Sequence, residues 1–322
     1  MQLALLGAIS QGIIWGIMVL GVLVTFRMLD IADLTVDGSF ALGGAVAAVA
    51  SVNMGLDPIV AILLGTLAGL VAGLVTGILH TVFDIPAILA GILTQIALWS
   101  INLRIMGKSN IPLLNVDTVF TKFADLLGIS QSIATLIIGI IIAAAMIALM
   151  YWFFGTELGS ALRATGNNED MCRALGIDVR MTKLLALAIS NGLVGLSGAL
   201  ICQSQKYADI GMGTGAIVIG LAAIVIGEVL GRFTPGKLTS FSSRLISAVA
   251  GSVVYFIIRA IVLQMGLDAN DMKLLSAIIV ALALAIPVIM ERRSLKSAYK
   301  KDTRKLMADT AAPTDSAKGG ER

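Results

Sequence analysis

Long apolar stretches separated by short polar segments are the dominant pattern of this chain. A helix needs about 20 mostly apolar residues, at about 1.5 Å of rise each, to cross the hydrocarbon core of a bilayer. Stretches of about this length occupy 3–26, 58–79, 85–105, 132–154, 184–204, 215–230, 241–264 and 273–290. Together with a shorter stretch at 39–52, they predict an all-α polytopic membrane protein with about nine membrane-crossing helices.

The stretch at 39–52 is short for a full crossing, and it follows an acidic turn that contains Asp30, Asp33 and Asp37. Irregular backbone survives at membrane depth only where it is buried in protein or lines a cavity. We therefore predict a broken or re-entrant segment here. Close carboxylates can also hold Mg²⁺ for an intramembrane transferase. That alternative requires a second acidic cluster or a basic phosphate site, and the loops supply neither clearly.

Composition supports a membrane protein. Of the 322 residues, 57% are hydrophobic and 13% are charged, a balance that excludes a soluble domain of this size. A transmembrane domain at 1–290 and a basic, disordered tail at 291–322 are predicted. The net charge of +3 comes mostly from the tail and does not indicate a nucleic-acid partner. His80, Cys172 and Cys202 lack the spacing of metal ligands, so no metal site is predicted.

The longest strongly polar interruption is the segment 156–180, TELGSALRATGNNEDMCRALGIDVR. It contains a candidate short helix, capped by Asn167 or Asn168 and followed by Gly176 in a left-handed conformation. Glu169 and Asp170 lie in its first turn, where negative charges interact favourably with the positive end of the helix dipole. A small apolar face is formed by Met171, Ala174 and Leu175. Such a helix either docks onto a soluble partner or packs on its own membrane domain.

Two further patterns concern packing and orientation. Glycines at every fourth position of the third stretch (Gly65, Gly69, Gly73 and Gly77) predict a close helix contact. Lysine and arginine concentrate in the alternate loops that include 156–180 and the tail. The asymmetry places the N-terminus outside and the polar segment and C-terminus in the cytoplasm.

Polar residues inside the apolar stretches are candidates for lining a solute path, although interhelical hydrogen bonding explains several of them equally well. The candidates are Thr35, Asp37, Ser39, Thr94, Gln95, Trp99, Asn102 and Arg259. Arg259 either extends its charge to the outer surface, or contacts a solute carboxylate or forms a gate ion pair. We expect Glu228 to act at a helix end or at a partner interface rather than on the solute.

Three separated motifs resemble the ABC importer permeases for branched-chain amino acids and for ribose-type sugars. The run GSALRATGNNEDMCRALGIDV resembles their coupling loop, DLTVDGSFALGGAV resembles the stretch after their first long span, and GMGTGAIVIGLAAIVIGEVLG resembles an outer loop leading into an apolar helix. The matches are in the same order and cover most of 1–290. Asp37, Glu228 and Arg232 depart from the family pattern, which bears on the substrate. The chain most resembles a branch with a single permease that is linked to aromatic amino acids.

The resemblance implies a permease domain at 1–290 in a bacterial cell membrane. It implies a homodimer of permeases, two cytosolic ATPase subunits and an extracellular solute-binding lipoprotein, surrounded by membrane lipid. ATP and Mg²⁺ would bind the ATPase, with no cofactor on this chain, and Gly107-Lys108-Ser109 lacks the glycine of a phosphate loop. The residues implied in ATPase coupling are Glu157, Gly159, Arg163, Ala164, Gly166, Asn167, Asn168, Ala174, Leu175, Gly176 and Ile177.

The expected solute is an amino acid, preferably aromatic, and the chain is expected to carry no enzymatic activity itself. A nucleoside or a sugar stays open, because Thr94, Gln95 and Asn102 suit hydroxyl groups equally well. A secondary transporter that needs no ATPase is the alternative mechanism. It would show interrupted helices in matching positions of two repeats, and only the break near 27–39 is visible.

Overall fold

The computed structural model describes residues 2–114, 116–233 and 241–264, and five isolated positions between 274 and 285. It divides into two compact units, Met1–Val280 and Ala281–Arg322, and everything below concerns the first. The predicted last crossing at 273–290 and the predicted disordered tail at 291–322 lie outside the described residues, the isolated positions excepted.

The described part of the chain is almost entirely helical. Its helices are α1 (Gln2–Leu23), which continues as a π-helix (Val24–Met28), α2 (Thr35–Val52), α3 (Pro58–Thr81), α4 (Ala87–Met106), α5 (Val119–Leu127), α6 (Gln131–Gly155), α7 (Glu157–Asn167), α8 (Glu169–Ala174), α9 (Val179–Gln205), α10 (Ala216–Phe233) and α11 (Phe241–Gln264). Two short strands, β1 (Asn110–Pro112) and β2 (Tyr207–Asp209), pair antiparallel with Ile111 opposite Ala208.

Seven helices in the described ranges are long and apolar enough to cross a membrane, namely α1, α2, α3, α4, α6, α9 and α11. A shorter apolar helix covers Ala216–Gly231 within α10. The prediction of about nine crossings is therefore not confirmed, because α10 is short and the last predicted crossing lies outside the described residues.

The break predicted after the first span lies between the π-helix and α2. The second helix begins at Thr35, four residues earlier than the apolar stretch suggested, and it is long enough to count as a candidate span. The reason is a local hydrogen bond: the backbone N–H of Thr35 donates to the carboxylate of Asp33 at 2.9 Å and so satisfies one group at the start of the helix. The polar residues Thr35, Asp37 and Ser39 consequently belong to the helix.

The segment 107–131, which separates two of the predicted crossings, contains β1 and α5. Thr118 and Thr121 form a reciprocal capping box that starts α5. Lys122 on α5 forms an ion pair with Asp57 at 2.7 Å, and both side chains are about half exposed. This ammonium group, helped by the N–H of Ile59, holds the pKa of Asp57 below its ordinary value. The small sheet is a minor addition to a predominantly helical fold, which agrees with the predicted all-α class.

The core is formed where α1, α2 and α9 pack, and α3 covers α9. The glycine stripe of α3 makes this contact possible. A Cβ atom on Gly69 would lie 2.4 Å from the carbonyl oxygen of Asn191, and one on Gly73 would lie 2.3 Å from that of Leu187. The prediction of a close helix contact is confirmed. The opposite faces of α3, α4 and α6 expose large apolar side chains, including Leu67, Ile96 and Ile141.

Candidate coupling segment and membrane-interior polar network

The segment 156–180 contains two helices, α7 and α8, where the sequence predicted only one. The predicted helix is α8. Of the two candidate caps, Asn168 is the one used: its Oδ1 accepts the N–H of Met171 at 2.9 Å. Gly176 has a φ of +80° just after the helix, in the left-handed region that glycine occupies without strain.

The apolar residues of α8 face outward. Leu175 just after the helix is 70% exposed, Met171 is 47% exposed, and Ala174 is also exposed, whereas Cys172 is fully buried on the opposite side. A polar segment that keeps large apolar side chains uncovered has the chemistry of a docking surface. Glu169 forms an ion pair with Lys183 of α9 and a second with Arg173 at 3.4 Å, so that α8 is tied to a membrane helix.

Helix α7 packs against the end of the first membrane helix. Its Thr165 is hydrogen-bonded to Thr182 of α9 at 3.1 Å, and both residues are buried. Gly166 lies directly on the π-helix, because a Cβ atom built there would be 1.5 Å from the carbonyl oxygen of Met28. A displacement of α7 would therefore be transmitted directly to the π-helix.

The π-helix is connected in turn to α10. Arg27 forms an ion pair with Glu228, and both side chains are partly exposed. The predicted role of Glu228 at a helix end or a partner interface stays a prediction. The contacts α8–α9, α7–π-helix and π-helix–α10 form a continuous connection from an exposed surface to the membrane helices.

A buried polar network lies where α2 begins. The Nδ2 of Asn191 donates to the Asp33 carboxylate at 2.6 Å, and Ser39 donates to Oδ1 of the same asparagine at 2.6 Å. All three side chains are buried. Polar groups of this kind inside a membrane protein need internal partners, and they mark functional or packing sites.

Hydroxyl groups extend this network across three helices. The hydroxyl oxygens of Thr35 and Thr76 lie 2.8 Å apart, and the hydroxyl of Thr76 donates to that of Thr94 at 3.0 Å. Near the other end of α4, the Nδ2 of Asn102 donates to the carbonyl of Gly38 at 3.4 Å. The Oδ1 of Asn102 is buried and has no hydrogen-bond partner among the described residues.

The carboxylate of Asp37 stabilises the start of α10. This carboxylate accepts the backbone N–H groups of Gly215 at 2.9 Å and Ile217 at 3.0 Å, and so caps the N-terminus of α10 from a different helix. Both oxygens of Asp37 are therefore already engaged by the protein.

The remaining path candidates are separate from the network. Trp99 is 50% exposed, and Gln95 is partly buried beside Gly38. Arg259 on α11 stacks over the ring of Phe256 at 5.7 Å and is partly exposed. The structure thus brings together Thr35, Ser39, Thr94 and Asn102 around α2, and it leaves Trp99 and Arg259 at its surface.

Sequence reasoning missed Asp33, Thr76 and Asn191 as members of the network. Asn191 carried a usable signal, because an amide inside an apolar stretch of membrane length needs a partner. The Nδ1 of His80 donates a hydrogen bond to the carbonyl oxygen of Ile85 at 2.9 Å. Within the described ranges, no group of three potential metal ligands is close enough to hold an ion.

Comparison with known proteins identifies the family. A family model described as "Branched-chain amino acid transport system / permease component" matches residues 4–286. The chain is 36% identical to the "Tyrosine transport system permease protein" of Clostridioides difficile (strain R20291), over 87% of this chain and 90% of that protein. It is 33% identical to "Uncharacterized protein RP368" of Rickettsia prowazekii (strain Madrid E), over 87% and 96%. It is 25% identical to the "Ribose import permease protein RbsC" of Escherichia coli (strain K12), over 79% and 76%.

These matches extend over nearly the whole membrane domain and agree with its apolar helices. They identify a transport component with ATPase and binding-protein partners, in the inner membrane of a bacterium. The chain therefore belongs to the branched-chain amino acid transport system / permease component family, as a multi-pass permease subunit of an ABC importer.

Proposed function

We propose that this permease imports an amino acid, with an aromatic amino acid preferred. The observation that carries the proposal is the 36% identity, over most of both chains, to a protein named as a tyrosine transport permease. The similarity to a ribose import permease is lower, at 25%, and it supports a sugar as the second candidate. The hydroxyl groups of Thr35, Thr76 and Thr94 are compatible with either solute.

In the proposed mechanism, two copies of the chain enclose the solute path, and each presents α8 to one cytosolic ATPase subunit. ATP and Mg²⁺ bind the ATPase, and closure of its dimer displaces α8 and α7. The contact of Gly166 with Met28 and the ion pair of Arg27 with Glu228 pass this displacement to the π-helix and α10. A bistable membrane domain then changes the side from which the path is open. The extracellular binding protein supplies the solute.

The test is ATPase activity in proteoliposomes that contain the permease and its ATPase. Binding protein loaded with tyrosine, tryptophan, leucine, ribose or adenosine is added to the outer side. We expect stimulation by the aromatic amino acids. The variant Leu175→Asp places a charge on the exposed apolar surface of α8 and should abolish stimulation. Val82→Asp, also at an exposed apolar residue but outside 156–180, is the matched control and should retain it.

Each proposal has its own contradicting result. Stimulation by ribose or adenosine alone would overturn the amino-acid assignment and leave the docking assignment intact. Equal stimulation of Leu175→Asp and wild type would show that α8 is not the docking surface. Solute uptake by the permease without any ATPase would favour a secondary transporter.

A further inference from the structure

A basic cavity of about 970 Å³ lies between α7, α10, α11 and the end of the first membrane helix. Its lining includes Arg27, Arg163, Glu228, Phe241 and Arg244. The resemblance counts Arg163 among the coupling residues, but the transport mechanism proposed above uses no contact that Arg163 or Arg244 makes in this cavity.

The charges in this cavity are unbalanced. Three arginines line it, and Glu228 is the only acid among the described lining residues. That glutamate is already paired with Arg27. Arg163 and Arg244 form no ion pair with any residue in the described ranges. Two guanidinium groups thus face one cavity, and no acid in the described part of the chain neutralises them.

Arg163 is held in place. Its guanidinium lies over the ring of Phe241 at 5.4 Å and donates to the hydroxyl of Ser160 at 3.5 Å. A guanidinium that is stacked in this way loses less freedom when it binds a ligand. Its planar donors match the oxygens of a phosphate group in a bidentate manner.

The floor of the cavity is apolar. Leu23, Ile224 and Ala248 line it and are at most 5% exposed. An amphiphile with a negative head and apolar chains fits this arrangement better than a fully hydrated anion does.

We propose that this cavity binds the phosphate group of an anionic phospholipid from the cytoplasmic leaflet, with Arg163 and Arg244 as the phosphate ligands. Basic pockets between membrane helices on the cytoplasmic side bind anionic lipid head groups in this way. A bound lipid connects α7 to α11 and thereby stabilises the coupling segment on the membrane domain. The proposal is independent of the solute and rests on the predicted cytoplasmic orientation of α7.

The experiment measures thermal unfolding of the full-length permease in a neutral detergent, without its ATPase. Phosphatidylglycerol, phosphatidylcholine and inorganic phosphate are titrated separately. We expect phosphatidylglycerol alone to raise the Tm in a saturable manner. In the double variant Arg163→Gln/Arg244→Gln, apparent affinity for this lipid should fall about a hundredfold, about tenfold for each lost charged contact. Arg180→Gln removes one exposed arginine from the same segment outside the cavity and should behave as wild type.

Three results would overturn the proposal. Equal stabilisation by inorganic phosphate would assign the cavity to a soluble anion. Equal stabilisation by phosphatidylcholine would show that the arginines do not select charge. Unchanged lipid affinity in the double variant would place the lipid elsewhere. If the double variant does not fold, the single variant Arg244→Gln replaces it in the same titration, because Arg244 is exposed. Its apparent affinity for phosphatidylglycerol should fall about tenfold.

Discussion

At Gly166 the chain has room for a hydrogen atom and nothing larger. A Cβ atom there would lie 1.5 Å from the carbonyl oxygen of Met28, and that oxygen belongs to backbone that cannot rotate away. We expect Gly166→Ala to separate α7 from the π-helix, at a cost of about 1–3 kcal/mol for overpacking. In proteoliposomes with the ATPase, this variant should hydrolyse ATP without solute uptake, because the connection between coupling segment and membrane helices is lost.

The matched control for this substitution is Gly155→Ala. Gly155 ends α6 beside the coupling segment, and a Cβ atom there would meet nothing within 4 Å. The Gly155→Ala variant should leave both ATP hydrolysis and solute uptake unchanged. Coupled transport by Gly166→Ala at the wild-type rate would show that the α7–π-helix contact does not carry the movement.

At the scale of an element, α10 depends on a residue from another helix. The carboxylate of Asp37 caps its N-terminus through the N–H groups of Gly215 and Ile217. Removing a cap of this type costs about 1–2 kcal/mol. Asp37→Ala should therefore lower the Tm in detergent, and Asp125→Ala, on the exposed surface of α5, should not. A path role alone would impair uptake while leaving the Tm unchanged, so an unaltered Tm would contradict the capping role.

The elements that could be predicted from the sequence are those whose signals are local. The cap of α8 by Asn168 and the left-handed Gly176 lie within a few residues of the helix they delimit. The glycine stripe of α3 likewise has a period that the sequence displays directly. Apolar length alone predicted most of the membrane helices, since each stretch has to cross the same thickness.

The elements that were missed depend on distant partners. Strand β1 exists because it pairs with β2, about a hundred residues later in the chain. The first residues of α2 are mostly polar. The hydrogen bond of the Thr35 N–H to Asp33 starts the helix there, and the hydroxyl of the buried Thr76 pairs with that of Thr35. In the candidate site, local spacing predicted the apolar face of α8, but it could not predict that Asn191 joins Asp33 to Ser39.

At the scale of the whole molecule, the proposals require α8 and α5 to lie on opposite sides of the membrane. Leu175 follows α8 and is 70% exposed, and Leu126 lies on α5 and is 79% exposed, so each can be replaced by cysteine without disturbing the core. Both native cysteines are buried, and the wild-type protein is therefore the unlabelled control. We expect a membrane-impermeant maleimide to label Leu126→Cys in intact cells. Leu175→Cys should be labelled only after the membrane is opened.

The pattern of labelling decides between the possible orientations. The reverse pattern would place α8 outside, where no cytosolic ATPase could dock and where the basic cavity would face the wrong leaflet. Labelling of both variants in intact cells would mean that α5 and α8 share one side, and the order of crossings between them would then be wrong. Because α6 is the single long apolar helix between α5 and α7, opposite labelling would establish that α6 crosses the membrane and would fix the direction of every described helix that packs against it.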